Sequence, residues 1–568
     1  MSTDTNTSVD PLTVAVIRGV VEQALDEVLT TFGRLAFSPV ITEGHDYGVG
    51  LYESGSGELL IVDKEAFPLF VWLGQDAVRA VLAAKQPLRP GDVFLLNDPY
   101  LTGTHMHDVK AVAPVIWEDE LVCFLCVTGH WADIGGPSPG GFATNATEVY
   151  QEGLRIPPLK IVNEGKLDEG LVALIMNNVR IPETTIGDLF AQISSVRLGA
   201  ERMQDILGRF GPERFLEAMR IVGDTGEAQM RERIEGIPDG TYHYRDCLDN
   251  DGISVETVWI DCVATVDGTE ITLDFSGSDP PVRGAFNAPP LTTIAASNIA
   301  MHHAFPDVLL TGGSARPVHV VVGPEVFIGA EFPRACEAYG EVSSRIMDTV
   351  LGALWQALPE RAQGGIFGTS SNLAIGGRDP ARGPYIMYAY LGGGQGANWS
   401  GDGLNNGPTA IGVALTPQIE NYEYAFPVRY HTYGLREDSG GLGEFRGGLG
   451  VVWDVELIRG EATMSAMADR ASRGAAGVQG GLPGATNIYE IHRADGTLET
   501  LPHLTKCENF PLRTGDRVRR YSPGGGGLGS VERRSEELRR ADLVEGYSSE
   551  EAYERADGQA LGERREAS

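Results

Sequence analysis

Two short stretches carry the residue types that could do chemistry. The first is Asn97-Asp98-Pro99-Tyr100-Leu101-Thr102-Gly103-Thr104-His105-Met106-His107-Asp108, and the second is Gly129-His130-Trp131-Ala132-Asp133-Ile134-Gly135-Gly136. Each holds an H-x-x-D unit, His105 with Asp108 and His130 with Asp133. Imidazole nitrogen combined with carboxylate oxygen, without thiolate, suits Zn, Mn or Fe(II) in a site with open coordination positions. His107 lies two residues from His105, so strand alternation puts it on the same face as a spare ligand.

Such a site forms only if the chain folds back between the two units. Val109 to Trp117 and Leu121 to Val127 are β-rich runs joined by Glu118-Asp119-Glu120, the pattern of a hairpin. A hairpin brings its outer ends together, and glycines at those ends let backbones approach closely. Further out, residues 12–36 carry a helical apolar stripe, 47–52 and 58–62 a strand pair, 75–85 a helix, and 93–96 a buried strand. Helical text runs from 168 to 235 with a break at Gly211-Pro212. Strands then follow at 242–244, 255–260 and 271–275, and helices at 291–304 and 341–357. The expected fold class is mixed α and β (α+β) with two large lobes. An N-terminal α/β lobe, 1–235, bears the metal hairpin, and a β-rich lobe with inserted helices, 236–530, ends in a glycine-rich β-dominated part. A charged segment, 531–568, is read as a surface helix and a disordered tail.

Composition narrows the function. The 568 residues carry a net charge of -33, which disfavours nucleic acid and anionic membrane as partners. Hydrophobic content of 42% supports a sizeable core. Six cysteines in so long a chain make no disulfide scaffold, and Cys123 and Cys126, three apart in a strand, face opposite sides as small core residues. The N-terminus is polar and acidic, and no run of about 18 apolar residues occurs, so a cytoplasmic location is expected.

Three glycine-containing motifs lack the context they need. Gly524 to Gly529 satisfies G-x-G-x-x-G, but too little chain follows for a βαβ unit, so a glycine-rich turn is expected. Gly136-Pro137-Ser138-Pro139-Gly140 spells a nucleophile elbow, yet the flanking prolines suit a loop. Asp249-Asn250-Asp251-Gly252 has no Glu at the twelfth position of a calcium loop and reads as a hairpin turn. No G-x-x-x-x-G-K-[ST] occurs.

Taken in order, Asn97-Asp98-Pro99-Tyr100, Gly103-Thr104-His105, Asp108, His130 to Gly136 and Glu152-Gly153-Leu154-Arg155-Ile156-Pro157-Pro158 resemble the hydantoinase B/oxoprolinase family. The resemblance continues through Asp274-Phe275-Ser276-Gly277, Asn287-Ala288-Pro289, Glu341 with Arg345, Arg446-Gly447-Gly448-Leu449-Gly450 and Ser522 to Gly529. It implies a B-type subunit that carries a divalent metal, Mn or Zn, and works with an A-type, ATP-binding subunit that uses ATP/Mg. Members open cyclic amides (5-oxoproline, hydantoins, lactams), and relatives carboxylate acetone or acetophenone through the same kind of oxygen phosphorylation. Carried onto this sequence, the family's ligands are His105, Asp108 and His130.

Two more carboxylates are catalytic candidates. Asp133 is a fourth ligand, the base that accepts the water proton, or a cap on the Gly135-Gly136 turn. Glu152 orients a ligand imidazole, or is a surface charge before Pro157-Pro158. Glu341 and Arg345 fit an i,i+4 helix ion pair. The sequence also departs from the family: Trp131 follows His130 where many hydrolases have a second His, Asn406 to Gly412 replaces a His-containing run, and Glu65 to Trp72 replaces a His-rich one. The pocket should therefore be more apolar. The expected activity is ATP-dependent opening of a cyclic amide, with ketone carboxylation and a non-catalytic metal-binding scaffold as alternatives.

Overall fold

The computed structural model describes residues 9–412 and 415–556. The chain opens with α1 (Pro11–Leu35), capped by Asp10, whose carboxylate accepts from the Leu12 and Thr13 N–H groups at 3.1 Å each. There follow α2 (Pro39–Thr42), β1 (Tyr47–Glu53), β2 (Leu59–Val62), α3 (Pro68–Ala83), β3 (Val93–Leu96), α4 (Pro99–Thr102), β4 (Asp108–Trp117) and β5 (Glu120–His130). Then come β6 (Leu159–Asn163), β7 (Lys166–Leu167), α5 (Glu169–Met176), α6 (Pro182–Phe210) and α7 (Pro212–Glu235). The seven strands form one antiparallel sheet in the order β2-β1-β5-β4-β3-β6-β7.

Helices cover both faces of that sheet, α1 and α6 on one side and α3 on the other. This is why β4 and β5 read as nearly continuous apolar runs. Along β5, Cys123, Leu125 and Val127 join the core beneath α1 and α6, while Phe124 and Cys126 join the core beneath α3. The two cysteines thus face opposite sides, as their spacing requires, and all six cysteines are free and buried. The predicted helix at 75–85 starts earlier, at Pro68 in the first turn. Leu69 to Leu73 are buried all round, so no stripe announced this part of the helix.

A second sheet holds β8 (Gly240–Leu248), β9 (Val258–Asp267), β10 (Glu270–Asp274) and β11 (Val318–Val321), in the order β11-β10-β9-β8. Two buried helices, α8 (Pro290–Ala304) and α9 (Tyr339–Ala357), pack on each other; α9 lies against β8 and β9, and α8 reaches α3. One apolar core therefore runs from the first sheet through these helices. Beyond it are β12 (Asn372–Asp379), β13 (Gly383–Ala389), α10 (Ile419–Ala425), β14 (Val428–Leu435), β15 (Val451–Leu457), β16 (Glu461–Met467), β17 (Ile488–His492), β18 (Leu498–Glu499), β19 (Cys507–Arg513) and β20 (Arg517–Tyr521). Sheets β13-β12-β16-β19 and β14-β15-β20-β17-β18 share a core around Ile375, Met387, Trp453, Met464 and Val518.

The glycine-rich run expected to be a turn is instead an extended segment in a bundle of glycine-rich segments. Every N–H from Gly524 to Gly529 donates to a backbone carbonyl, in turn those of Ala485, Gly448, Gly365, Leu482, Phe445 and Val478. A Cβ at Gly526 would lie 1.9 Å from the Ala476 carbonyl oxygen, so no larger residue fits there. With all its donors used, this run has none left to cradle a phosphate.

The segment after 530 holds α11 (Glu536–Glu545), as expected, but is less superficial than its charges imply. Arg446 and Arg534 both reach Asp542, at 3.2 and 2.8 Å, and Tyr553 is fully buried. The expected disordered tail falls on 557–568, outside the described residues. Among the described residues, no helix is long and apolar enough to cross a membrane.

Candidate metal centre

β4 and β5 form the expected hairpin, and its register pairs Asp108 directly with His130. His105 precedes β4 in a loop that turns at Gly103, whose positive φ of 73° ends α4. Asn97 pins that loop: its side chain donates to the Met106 and Leu154 carbonyls at 2.7 and 3.0 Å and accepts from the Ile156 N–H at 2.6 Å. Asp98 caps α4 through the Tyr100 N–H at 3.1 Å. The Asn-Asp-Pro-Tyr text is thus the scaffold that delivers His105 to the strand ends.

His105 Nε2, Asp108 Oδ1 and His130 Nδ1 form a nearly equilateral triangle with edges of 3.0, 3.1 and 3.2 Å. All three side chains are buried, and among the described residues they make up the one group of three or more metal-ligating side chains that could hold an ion. Two imidazole nitrogens and one carboxylate oxygen within reach of one another are a donor set that fits a divalent ion. Electrostatics agree. Burial works against charge on His105, but Asp108 and Glu337 outweigh it and push the imidazole up to about 10. Burial also opposes charge on Asp108, yet the two imidazoles hold its carboxyl well below the usual carboxylate range. The centre is built to keep an anionic oxygen beside a cation.

His107 faces a different neighbour. Its Nδ1 donates to the Trp131 carbonyl at 2.7 Å, its ring stacks on His130 at 5.1 Å, and burial drives its pKa down. Asp133 stands outside the triangle. Its carboxylate accepts from the Arg180 backbone N–H and guanidinium at 2.5 and 3.1 Å, and the same guanidinium donates to the Gly135 and Gly136 carbonyls. Glu152 is fully buried rather than a surface charge. It touches no imidazole and accepts from the Cys336 and Glu337 N–H groups at 2.6 and 2.7 Å. Glu341 and Arg345 do not pair: Glu341 accepts from the Ser370 N–H, and Arg345 reaches Asp246, Asp348, Asp469 and the Gly368 carbonyl. The i,i+4 geometry allows the pair, but Asp348 at i+3 on the same helix and three oxygens from other elements (Asp246, Asp469 and the Gly368 carbonyl) outcompete it.

Sequence reasoning missed four neighbours. The Tyr339 hydroxyl donates to Asp108 Oδ2. Glu337 Oε1 lies 2.8 Å from His105 Nδ1. Asp46 Oδ2 lies 3.9 Å from His130 Nδ1, and burial pushes Asp46 up to about 6 against the pull of His130. Lys110 sits beneath the loop, donating to Thr104 and to the Asp108 carbonyl, and burial lowers it to about 8. Lys110 alone lay in a stretch already singled out; the others come from remote segments with no spacing signal.

The centre opens into a cavity of about 40 Å³, room for a few waters, walled by Phe67, Phe70, Tyr388 and Ile411 and by Asp46, Glu337 and Glu341. Phe67 and Phe70 come from the segment that departs from the family pattern, and they supply apolar wall beside these carboxylates. A cavity of about 700 Å³ lies between α1, the segment 61–68 and Leu310, away from the triangle.

Residues 10–531 match the family described as hydantoinase B/oxoprolinase. The chain belongs to that family. It is 31% identical over 556 residues to the beta subunit of the caprolactamase of Pseudomonas jessenii, covering 95% of this chain and 94% of that one. It is 27% identical over 564 residues to a subunit of a putative D-/L-hydantoinase of Pseudomonas sp. strain NS671, covering 96% and 94%. The crystal structure of the ATP-dependent caprolactamase from Pseudomonas jessenii superposes with a TM-score of 0.87 at 26% identity, covering 96% of this chain and 95% of that one. A nucleotide-free acetone carboxylase structure shares the fold, with a TM-score of 0.88 at 17% identity over 99% and 84% of the two chains.

Proposed function

We propose that this chain is the metal-binding, B-type subunit of an ATP-dependent amidohydrolase. It would open a cyclic amide (a hydantoin, 5-oxoproline or a lactam) after an A-type partner carrying ATP/Mg has phosphorylated the amide oxygen. The observation that carries the reading is the His105, Asp108 and His130 triangle facing a small cavity walled in part by Phe67, Phe70, Tyr388 and Ile411, in a chain whose relatives are named as subunits of such enzymes.

His105, Asp108 and His130 would hold the ion, which when bound supplies Lewis acidity and makes water a better nucleophile near neutral pH. The remaining work falls to side chains. Asp46 faces the same cavity, its Oδ1 has no hydrogen-bond partner, and its pKa near 6 suits a base that accepts a proton from water entering the cavity. Phe67, Phe70, Tyr388 and Ile411 keep bulk water from an activated substrate. Tyr339 steadies Asp108 through its hydroxyl. Glu152 acts one step further out, tying down the backbone of Cys336 and Glu337, and Asp133 with Arg180 holds the Gly135-Gly136 turn after β5.

The test is to purify the chain with its A-type partner and screen lactams, hydantoins and ketones for ADP release. Amide opening that needs both subunits, and that falls at least 100-fold in Asp46→Asn, supports the reading. Turnover only with a ketone and bicarbonate would replace it with carboxylation. Full turnover by this chain alone would contradict the division of labour.

A further inference from the structure

We infer that Glu337 is a positioning residue that fixes the orientation and tautomer of His105, so that Nε2 presents a lone pair to the triangle. This rests on the reading of His105, Asp108 and His130 as the metal ligands. His105 has one nitrogen on each side. Nε2 faces Asp108 and His130, and Nδ1 faces Glu337 at 2.8 Å. Apart from each other, His105 Nδ1 and the two oxygens of Glu337 have no hydrogen-bond partner; His107 Nε2, at 3.8 Å from Oε1, lies beyond hydrogen-bond distance, and Glu337 is 1% exposed. A buried carboxylate with one cationic or N–H neighbour within reach is a costly feature unless that contact is used. An imidazole that ligates through one nitrogen donates the other N–H to an outer acceptor, which locks the ring and raises its basicity.

The carboxylate is itself held. Glu152 Oε1 accepts from the backbone N–H of both Cys336 and Glu337, which fixes the peptide that presents the Glu337 side chain. Two residues on, the same segment delivers the Tyr339 hydroxyl to Asp108. One stretch at the start of α9 thus buttresses two of the three ligands from behind, His105 through a carboxylate and Asp108 through a phenol.

The measurement is Mn2+ binding by the purified full chain, with no partner and no substrate, in wild type, Glu337→Gln and Glu337→Ala. Gln keeps an oxygen that accepts from Nδ1–H but loses the charge, and Ala loses both. The expected order is wild type tightest, Gln about 10-fold weaker and Ala about 100-fold weaker. The metal-free proteins should melt at closely similar temperatures. Partial rescue by Gln separates positioning from bulk stability: a merely structural Glu337 would lower metal-free melting and Mn2+ affinity together, with no rescue. Should the Ala variant fail to fold, the isosteric Gln variant carries the comparison. Undiminished affinity in the folded variants overturns this inference alone. A wild-type chain that takes up no Mn2+ overturns the metal reading and this inference with it.

Discussion

Helix α9 passes two buried charge clusters, and they differ in one respect that separates their roles. Along its middle, Arg345 contacts Asp246, Asp348 and Asp469; Arg470 contacts Asp246 and Asp348; and Lys506 contacts Asp469. Three cations face three carboxylates, and only the two arginine Nε–H groups are left without a partner. At the start of α9, Asp46, Asp108 and Glu337 gather around imidazoles, no Arg or Lys among the described residues lines the cavity, and apart from the contact of Glu337 with His105, Asp46 Oδ1, His107 Nε2 and the Glu337 oxygens have no hydrogen-bond partner. The first cluster is complete in charge and ties the loop after β8, α9 and the segment 469–472 together. The second gathers carboxylates around imidazoles and leaves several buried polar atoms unpaired. A fully paired ion network specifies packing, and the contrast is what the proposed metal centre at His105, Asp108 and His130 would account for.

The comparison predicts that each cluster can be broken without the other. The largest effect should come from Arg345→Met. Removing one partner from a buried network leaves carboxylates uncompensated and should cost about 3–5 kcal/mol in denaturant unfolding, while the folded protein still binds one Mn2+. Loss of metal without loss of stability in that variant would show that the clusters are not separate. Next, His130→Ala should weaken Mn2+ by at least about 100-fold, some 2.7 kcal/mol, with some loss of metal-free stability as well, because the buried ring also stacks on His107 and Tyr388. Isothermal titration beside a melting curve reads both.

A smaller effect comes from pH. His105 is pushed up to about 10, so in the metal-free chain it holds a proton through the neutral range, and an ion must displace it. Below that value, raising the pH removes the competitor, so apparent Mn2+ affinity should climb by about tenfold per unit between about 7 and 9 and level off near 10. An affinity that stays flat over that range would mean His105 is already neutral. The smallest effect should be Tyr339→Phe, which removes one hydrogen bond to Asp108. A neutral donor to a charged group is worth about 1.5–3 kcal/mol at most, so a loss of about 10-fold in affinity with unchanged stoichiometry is expected.

How much of this was legible in the sequence follows from contact distance along the chain. The hairpin and the convergence of His105, Asp108, His130 and Asp133 at its ends could be read because they depend on local pattern and on spacing across one turn; it was the family resemblance that singled out His105, Asp108 and His130. The helices carrying an apolar stripe, such as α1 and α7, were equally plain. The first turns of α3 were not, because a helix buried on all sides has no stripe. The partners of the triangle were invisible for a different reason. Tyr339 and Asp108 are separated by 231 positions, and Arg345 and Asp469 by 124, so only the folded chain brings them together. The glycine count was visible, but nothing local distinguishes a turn from a segment whose N–H groups all bond to other segments. Glu152 shows the limit most clearly. A carboxylate behind a ligand imidazole was expected, and Glu337 is the one within reach of His105, with Glu152 holding it in place.

The most direct test of the account is anomalous X-ray scattering from crystals of the chain grown with Mn2+, measured on both sides of the manganese edge. The account predicts a single strong peak per chain, about 2.1–2.2 Å from His105 Nε2, Asp108 Oδ1 and His130 Nδ1 alike. No peak at the triangle, or a strong peak elsewhere with the triangle empty, would contradict it.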